Sequence, residues 1–191
     1  NAFVIYATVN WLASFFIRSH GMNTGELGTW LALSSGLFGA IGVFGGGFFA
    51  DKLALRDRRW YVWLSAVMML ICVPFTAAIY WLDNQYIALL LVPGTLFNVY
   101  LGTTISTTHG LVGQRMRATS SAILLLVLNI IGLGLGPWSV GMLSDYLLPS
   151  LGAESLRYAL LYIIPAVTFW SACHFYLAAR TLRSDLDNAP S

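Results

Sequence analysis

Three asparagines lie near the centres of long apolar stretches of this sequence: Asn10, Asn98 and Asn129. A side-chain amide is costly in an apolar medium unless it is paired or lines a cavity. Two of these stretches add further polar groups at helical spacing, which places them on one helix face. The resulting candidate cavity residues are Tyr6, Asn10, Ser14, Asn98, Tyr100, Thr104 and Asn129. Their chemistry is hydrogen bonding to a bound molecule; the alternative is hydrogen bonding between helices, worth about 0.6 kcal/mol per bond.

Catalytic chemistry is a weaker interpretation of the polar residues. An intramembrane serine protease needs a serine in a Gly-x-Ser-Gly setting and a histidine on a facing helix. His174 is available, but Ser106 lies in the sequence Thr-Ile-Ser-Thr, which has no glycine. Cys72 and Cys173 lie inside apolar stretches, which favours small packing residues over a disulfide or a redox motif. The sequence therefore predicts no enzyme, no metal and no cofactor, with the protease kept as an alternative.

The composition indicates that lipid surrounds the elements that carry these residues. Of the 191 residues, 58% are hydrophobic and 9% are charged, and the mean hydropathy is +0.73. A helix needs about 20 apolar residues to cross a bilayer. The sequence predicts an all-α membrane protein with six transmembrane helices: Ala2–Ile17, Leu27–Ala50, Trp60–Trp81, Ile87–His109, Ser120–Leu143 and Leu156–Ala179. Asn23 or Thr24 is expected to cap the second of them.

The sequence repeats itself loosely at a spacing of 94 residues. Gly47-x-x-x-Asp51-x-Leu53 recurs as Gly141-x-x-x-Asp145-x-Leu147. Each copy holds three predicted spans, so the second copy must lie upside down in the membrane relative to the first. An inverted 3+3 repeat is typical of secondary transporters, which bind substrate near the bilayer midplane at the repeat interface. The expected division is a first repeat of about 1–82, a second of about 83–181 and a short cytoplasmic tail, 182–191.

The basic residues predict the orientation, because cytoplasmic loops carry an excess of lysine and arginine. Arg18 and Arg157 fall on one side of the predicted membrane. Eight fall on the other side: Lys52, Arg56, Arg58, Arg59, Arg115, Arg117, Arg180 and Arg183. Both ends of the chain are therefore expected in the cytoplasm. The net charge of +2 follows from this bias and does not indicate nucleic-acid binding.

The segment Gly47-Phe-Phe-Ala-Asp51-Lys52-Leu-Ala-Leu-Arg56-Asp57-Arg58-Arg59 resembles the cytoplasmic signature loop of the major facilitator superfamily, G-x-L-A-D-R-x-G-R-R. It differs in having Lys52 for the arginine and a few extra residues before the arginine pair. The fifth span is also similar, in Arg117-Ala118, Asn129, Gly132, Gly136-Pro137, Gly141 and Asp145. The resemblance covers the whole chain and implies the C-terminal half of such a transporter, helices seven to twelve, in the spinster-like branch. It also implies that the candidate cavity residues line a central substrate cavity.

The signature-like loop is a candidate cytoplasmic gate. Asp51 ends a predicted helix, where a carboxylate can accept hydrogen bonds from another helix N-terminus or pair with arginine. The expected partners are the start of the fifth span and Arg115 or Arg117, in contact only when the cytoplasmic side is closed. The gate set is Gly47, Asp51, Lys52, Arg56, Arg58, Arg59, Arg115 and Arg117. The alternative for the arginines of the loop is that they only enforce topology and contact lipid phosphates.

Helix flexing is predicted at Gly132, Gly136 and Pro137, because small residues permit close helix packing and proline kinks a helix. The whole pattern predicts a secondary active transporter in the plasma (bacterial inner) membrane. By alternating access it would move a small organic solute, amphipathic, lipid-like (a lysolipid) or drug-like.

The expected partners are the lipid bilayer and an N-terminal six-helix half of the same polypeptide, which the abrupt start at Asn1 favours. No Asp or Glu lies at the middle of a span, so a coupled proton would need that other half or His109. The alternative is a self-contained six-span protein that closes its cavity as a dimer.

Overall fold

The computed structural model describes residues 1–34, 36, 39–95 and 100–190, with the backbone alone at 43 and 93–95. This part of the chain is mostly helical and contains no strand. The helices are α1 (Ala2–His20), α2 (Thr24–Leu33), α3 (Gly39–Ala54), α4 (Trp60–Trp81), α5 (Gln85–Thr95), α6 (Tyr100–Gly110), α7 (Arg117–Asn129), α8 (Gly136–Leu151) and α9 (Ser155–Asp187). A π-helical segment, Ile130–Leu135, joins α7 to α8, and 3₁₀ turns at Gln114–Met116 and Gly152–Glu154 precede α7 and α9.

The turn between α1 and α2 follows from its local sequence. Gly21 ends α1 with φ at 65°, a left-handed conformation that glycine adopts without the clash of a Cβ. Asn23 then caps α2, because its side-chain oxygen accepts a hydrogen bond from the backbone N–H of Gly25 at 2.8 Å. The predicted cap of the second span is therefore confirmed at Asn23.

Three stretches of the described residues are candidates for crossing a membrane. Ala2–His20, Trp60–Trp81 and the helical run Gln114–Asp187 are long and apolar enough to cross a bilayer. The six separate spans predicted from the sequence do not emerge as six unbroken helices. The second span, Leu27–Ala50, and the fourth, Ile87–His109, each include residues outside the described ones, and each is represented by two shorter helices.

The second half of the chain is more helical than predicted. The fifth span was expected to end at Leu143, but α8 continues to Leu151 and holds Pro149 inside its last turn. The expected tail, 182–191, is helical as far as Asp187, and its Leu182 is buried. The periodicity of apolar residues marks the part of a helix inside the membrane and says little about how far the helix extends beyond it.

The main core lies where α1, α4, α5, α8 and α9 meet. Phe15 and Phe16 of α1 pack with Tyr80 of α4, Leu160 and Ile164 of α9, all of them buried. α4 also packs along α9 through much of its length. In lipid these contacts stabilise the bundle by close packing, since the hydrocarbon outside is as apolar as the core.

Large apolar side chains also cover much of the outer surface of this chain. The exposed fraction is 79% at Phe44 and 69% at Val9, and further exposed side chains follow α7 and α8. A soluble domain seldom exposes so much contiguous apolar surface. Lipid or another membrane-embedded segment is therefore expected to cover it.

Candidate functional site

A polar contact joins α1 to the end of α7, where the π-helical segment begins. The hydroxyl of Tyr6 donates a hydrogen bond to Oδ1 of Asn129 at 3.0 Å. The amide nitrogen of Asn129 donates in turn to the carbonyl of Leu125 at 2.8 Å. Two of the residues predicted for a cavity, 123 positions apart in sequence, are thus direct partners.

The glycines beside this contact let the two elements approach each other closely. A Cβ built on Gly132 would lie 2.6 Å from Cδ2 of Tyr6 and 2.9 Å from Cβ of Ala2. A Cβ built on Gly136 would lie 2.7 Å from the carbonyl oxygen of Phe3. All three distances are too short for real atoms, so the approach requires glycine at these positions. We call this contact between α1 and the Asn129–Gly141 segment the glycine seam.

The backbone of the glycine seam is irregular at the same place. Ile130–Leu135 is π-helical, and such segments within α-helices occur frequently at functional sites. The flexing residues Gly132, Gly136 and Pro137 thus lie in this segment or directly after it. Gly134 lies in the segment too, but a Cβ there would meet no atom within 4 Å.

Trp11 extends the glycine seam and was missed by the sequence-based prediction. Its indole N–H donates to the carbonyl of Pro137 at 2.9 Å, and a Cβ built on Gly141 would lie 3.1 Å from its ring. The spacing of Trp11 from Ala7, one helical turn, was the available signal. A tryptophan in an apolar stretch is common enough to hide it.

The other candidate cavity residues of α1 occupy a more open surface. Asn10 is exposed, and its amide donates to the carbonyl of Tyr6 at 2.8 Å, one turn earlier. Ser14 is half-buried. The amide oxygen of Asn10 therefore has no partner among the described residues and can accept a hydrogen bond from a bound molecule.

The candidate residues of the fourth predicted span are divided. Tyr100 is buried in a cluster with Met69 and Ala172, so its ring packs between α4, α6 and α9. Thr104 is half-buried, and its hydroxyl is buried with no hydrogen-bond partner among the described residues. Asn98 lies outside the described residues.

The gate candidates lie at the opposite end of α3 and α4 from the Asn23 turn. Oδ1 of Asp51 accepts a hydrogen bond from the hydroxyl of Tyr61 at 3.0 Å. In the described part of the chain no ion pair links Asp51 to the expected partners, Arg115 and Arg117, which are exposed at the start of α7. Tyr61, ten residues along the sequence, was not considered because a tyrosine carries no charge.

The α3–α4 loop is held by an internal ion pair. The guanidinium of Arg59 lies 2.7 Å from Oδ2 of Asp57 and stacks over the ring of Trp63, 4.8 Å from its centroid. Hydrogen bonds from Arg59 lower the pKa of Asp57; the bond from the side chain has the larger effect and the bond from the backbone N–H adds to it. The nitrogen of Lys52 lies 6.0 Å from the centroid of the Phe48 ring. These two cations thus have local partners, while Gly47 of the gate set has open space around it.

A second polar cluster, missed by the sequence-based prediction, ties together the other end of the bundle. Arg157 at the start of α9 contacts Asp83 at 2.9 Å and Glu154 at 3.0 Å, and donates to the carbonyl of Leu82 at 3.0 Å. Nε2 of His20 is buried nearby without a hydrogen-bond partner among the described residues. The signal in the sequence was a lone arginine, Arg157, beside a short acidic turn. The sequence-based prediction used that arginine only for the orientation in the membrane.

No protein-family model matches the chain. The chain is 32% identical, over 183 residues, to an MFS-type efflux pump of Mycolicibacterium smegmatis. The matched residues make up 95% of this chain and 42% of the efflux pump. The chain is a homologue of a major facilitator superfamily transporter.

Solved structures extend this transporter homology to the fold. A bacterial homologue of the human lysosomal transporter Spinster, in an inward-facing and unoccupied conformation, matches the whole chain with a TM-score of 0.82 and 26% identity, over 47% of its own length. A structure of such a homologue in an inward-facing and occupied conformation also matches the whole chain, with a TM-score of 0.67 and 22% identity, over 48% of its own length. At this identity the match shows a likeness of fold alone.

These relatives confirm the predicted resemblance to the superfamily and to its spinster-like branch. The chain spans about half the length of the relatives that it matches. It is thus an integral membrane protein related to transporters, with an all-helical fold like half of such a transporter.

Proposed function

We propose that this chain is the C-terminal half, helices seven to twelve, of a secondary active transporter that moves a small organic solute by alternating access. The observation that carries the proposal is the glycine seam. It combines a π-helical break, two glycines in forced contact and a hydrogen bond between Tyr6 and Asn129 at the start of that break. Discontinuous helices with polar groups near the midplane are where transporters of this design bind substrate.

The inverted 3+3 repeat is part of the proposal, with repeats of about 1–82 and 83–181. It is supported by the contacts between helices. When each helix is replaced by the helix that corresponds to it in the other repeat, a contacting pair becomes another contacting pair. The pair α1 and α8 then corresponds to α6 and α3, and the pair α1 and α9 to α6 and α4. The pair α3 and α4 corresponds to α8 and α9. All of these pairs are in contact, as a pseudo-twofold axis requires.

The proposed substrate is amphipathic: lipid-like, such as a lysolipid, or drug-like. Amide and hydroxyl groups at Tyr6, Asn10, Asn98 and Asn129 would bind its polar end, while aliphatic side chains beside them, such as Val9, would contact its apolar part. Ser14, Tyr100 and Thr104 complete the proposed cavity set. No carboxylate lies among these residues, which favours recognition by hydrogen bonding over ion pairing.

The proposed gate is the loop with Asp51, facing the cytoplasm together with both ends of the chain. In the closed state Asp51 would leave Tyr61 for the start of α7. Its contact with Tyr61 agrees with an open cytoplasmic side. The proposed setting is the bacterial inner membrane, with the N-terminal half of the same polypeptide as partner and protons as possible coupling ions.

The first experiment is the intact mass of the native polypeptide that contains this sequence, extracted in detergent. A mass near twice the 20.9 kDa of this chain supports the half-transporter proposal. A mass near 20.9 kDa overturns it in favour of a six-span protein that acts as a dimer.

Transport is then measured with the native polypeptide in proteoliposomes, using a fluorescent lysophospholipid and a fluorescent hydrophobic cation as substrates. Asn129→Ala is compared with Ser139→Ala, because each side chain donates to the carbonyl four residues before it, and Asn129 alone also reaches α1. We expect Asn129→Ala to reduce transport about threefold to tenfold, the value of one lost hydrogen bond. Equal transport by the two variants would remove Asn129 from the proposed cavity.

A further inference from the structure

A cleft opens between the α3–α4 loop and the last turns of α9. Its volume is about 410 Å³. The charged part of its lining holds Arg56, Asp57 and Arg58 from the loop with Arg183 and Asp187 from α9. Two segments more than 120 residues apart therefore bring three guanidinium groups to one cavity.

Two carboxylates, those of Asp57 and Asp187, line the cleft beside the three arginines, which leaves an excess of positive charge. Among the described residues, no acidic oxygen lies within ion-pair distance of Arg56, Arg58 or Arg183. Asp57 already binds Arg59 at 2.7 Å, outside the cleft lining. All three cleft arginines are exposed. Their N–H donors are thus available to an anion, and guanidinium is the side chain best suited to phosphate.

The floor of the cleft is apolar and continues into a second cavity of about 310 Å³. Ala54, Leu55, Arg58 and Leu186 line both. Leu55 is 88% exposed, so its side chain is accessible to an apolar chain that enters the cleft. The second cavity runs on past Leu182 to the end of α6. The cationic side chains at the opening of the cleft and the apolar side chains of Leu55 and Leu186 together fit an amphipathic anion.

We propose that this cleft binds the phosphate headgroup of an anionic membrane phospholipid, with one acyl chain over Leu55 and Leu186. The proposal rests on the proposed orientation, which puts the α3–α4 loop at the cytoplasmic leaflet, where anionic headgroups meet basic pockets between helices. The lipid is a resident of the membrane at the gate end of the molecule. It is not the transported solute, whose proposed cavity is at the glycine seam.

The surroundings favour a lipid over a soluble phosphate. Trp60 and Trp63 pack edge to face at 5.6 Å directly after the loop, and tryptophan is enriched at headgroup level. A soluble phosphate would use the guanidinium groups and gain nothing from the exposed leucine. A phospholipid uses both and covers apolar surface that is otherwise open.

The test is native mass spectrometry of the native polypeptide with phosphatidylglycerol added to the detergent solution. Arg56→Gln and Arg183→Gln are compared with Arg180→Gln. Arg180 is one turn before Arg183, on the same predicted side, and stacks on the ring of Tyr176. We expect each cleft variant to bind phosphatidylglycerol about fivefold more weakly, and the double variant about twenty-fivefold, with Arg180→Gln near the original value.

A second arm identifies the source of the phosphate. An excess of water-soluble glycerophosphoglycerol, which has the same headgroup and no acyl chains, is expected to leave the bound lipid in place. Displacement at equal concentration, or equal lipid binding by Arg180→Gln and the cleft double variant, would overturn the proposal. Lipid binding is scored without transport, so its failure is separate from a failure of the proposed function.

Discussion

Replacing Gly132 by alanine tests the glycine seam most directly. The new Cβ would lie 2.6 Å from the ring of Tyr6 and 2.9 Å from Cβ of Ala2, with the backbone carbon of Ala2 at 3.1 Å. The tyrosine ring can rotate slightly, but the backbone of α1 must move away. Overpacking of this kind costs about 1–3 kcal/mol. An outward shift of about 0.5 Å also forfeits roughly a quarter of each dispersion contact along the seam.

Gly134→Ala is the matched control, because Gly134 lies two residues away in the same π-helical segment and a Cβ there meets nothing within 4 Å. Both variants share the gain of about 0.5–1 kcal/mol from removing a flexible glycine, so their difference isolates the steric cost. Thermal unfolding of the native polypeptide in detergent measures that difference. For a native polypeptide of about twice this length we expect Gly132→Ala to melt roughly 1–4 °C below Gly134→Ala. Equal melting temperatures would show that α1 does not approach the segment this closely.

Three further predictions concern the seam, the outer cluster and the loop. Tyr6→Phe removes the hydroxyl that crosses the seam and is expected to cost about 0.6 kcal/mol in stability, measured by the same unfolding assay. Arg157→Gln should cost about 1–3 kcal/mol, because its side chain is 14% exposed, donates to Asp83 and to the carbonyl of Leu82, and forms an ion pair with Glu154, whereas Asp83→Asn, at 93% exposure, should cost about 0–1 kcal/mol. The pKa of Asp57 is lowered in the folded loop, so its contribution is present above the ordinary value of 3.8 and is lost as the pH falls through the lower folded value. Hydrogen exchange at the Arg59 amide, corrected for intrinsic rates, should therefore stay protected at pH 5 and open well below pH 4; protection that disappears between pH 7 and 5 would contradict this.

The sequence identified the glycines of the seam but not what they contact. Gly132 and Gly136 have the spacing of small residues at helix interfaces, and this spacing can be read from the sequence alone. Their partners Ala2, Phe3 and Tyr6 come from the far end of the chain, and only the assembled bundle brings them there. The π-helical segment leaves no signal in apolar periodicity, because every residue of Ile130–Leu135 is apolar or glycine and an extra residue in the turn shifts no visible pattern.

Asp51 shows a different limit of prediction. Its charge predicts ionic partners, Arg115 and Arg117, whereas the structure pairs it with Tyr61 on the next helix. A contact that is expected only in a closed state leaves no separate mark in the sequence, because one sequence serves every conformation. Pro149 lies in the last turn of α8, where the helix is about to end at Gly152.

The contacts divide this chain into a rigid part and a part that can yield. α4 and α9 pack along each other and are joined at one end by Arg157, which binds the carbonyl of Leu82, and at the other by Leu182, buried near Val62. Packed interfaces change between discrete arrangements and do not deform continuously. A pair fixed at both ends is therefore expected to move as one body. The glycine seam has a different character: its backbone is π-helical over six residues, and two side-chain hydrogen bonds cross it, from Tyr6 to Asn129 and from Trp11 to the carbonyl of Pro137. If the proposed alternating access rocks these helices against each other, we expect the irregular backbone of the seam to adjust, because π-helical segments occur frequently at functional sites.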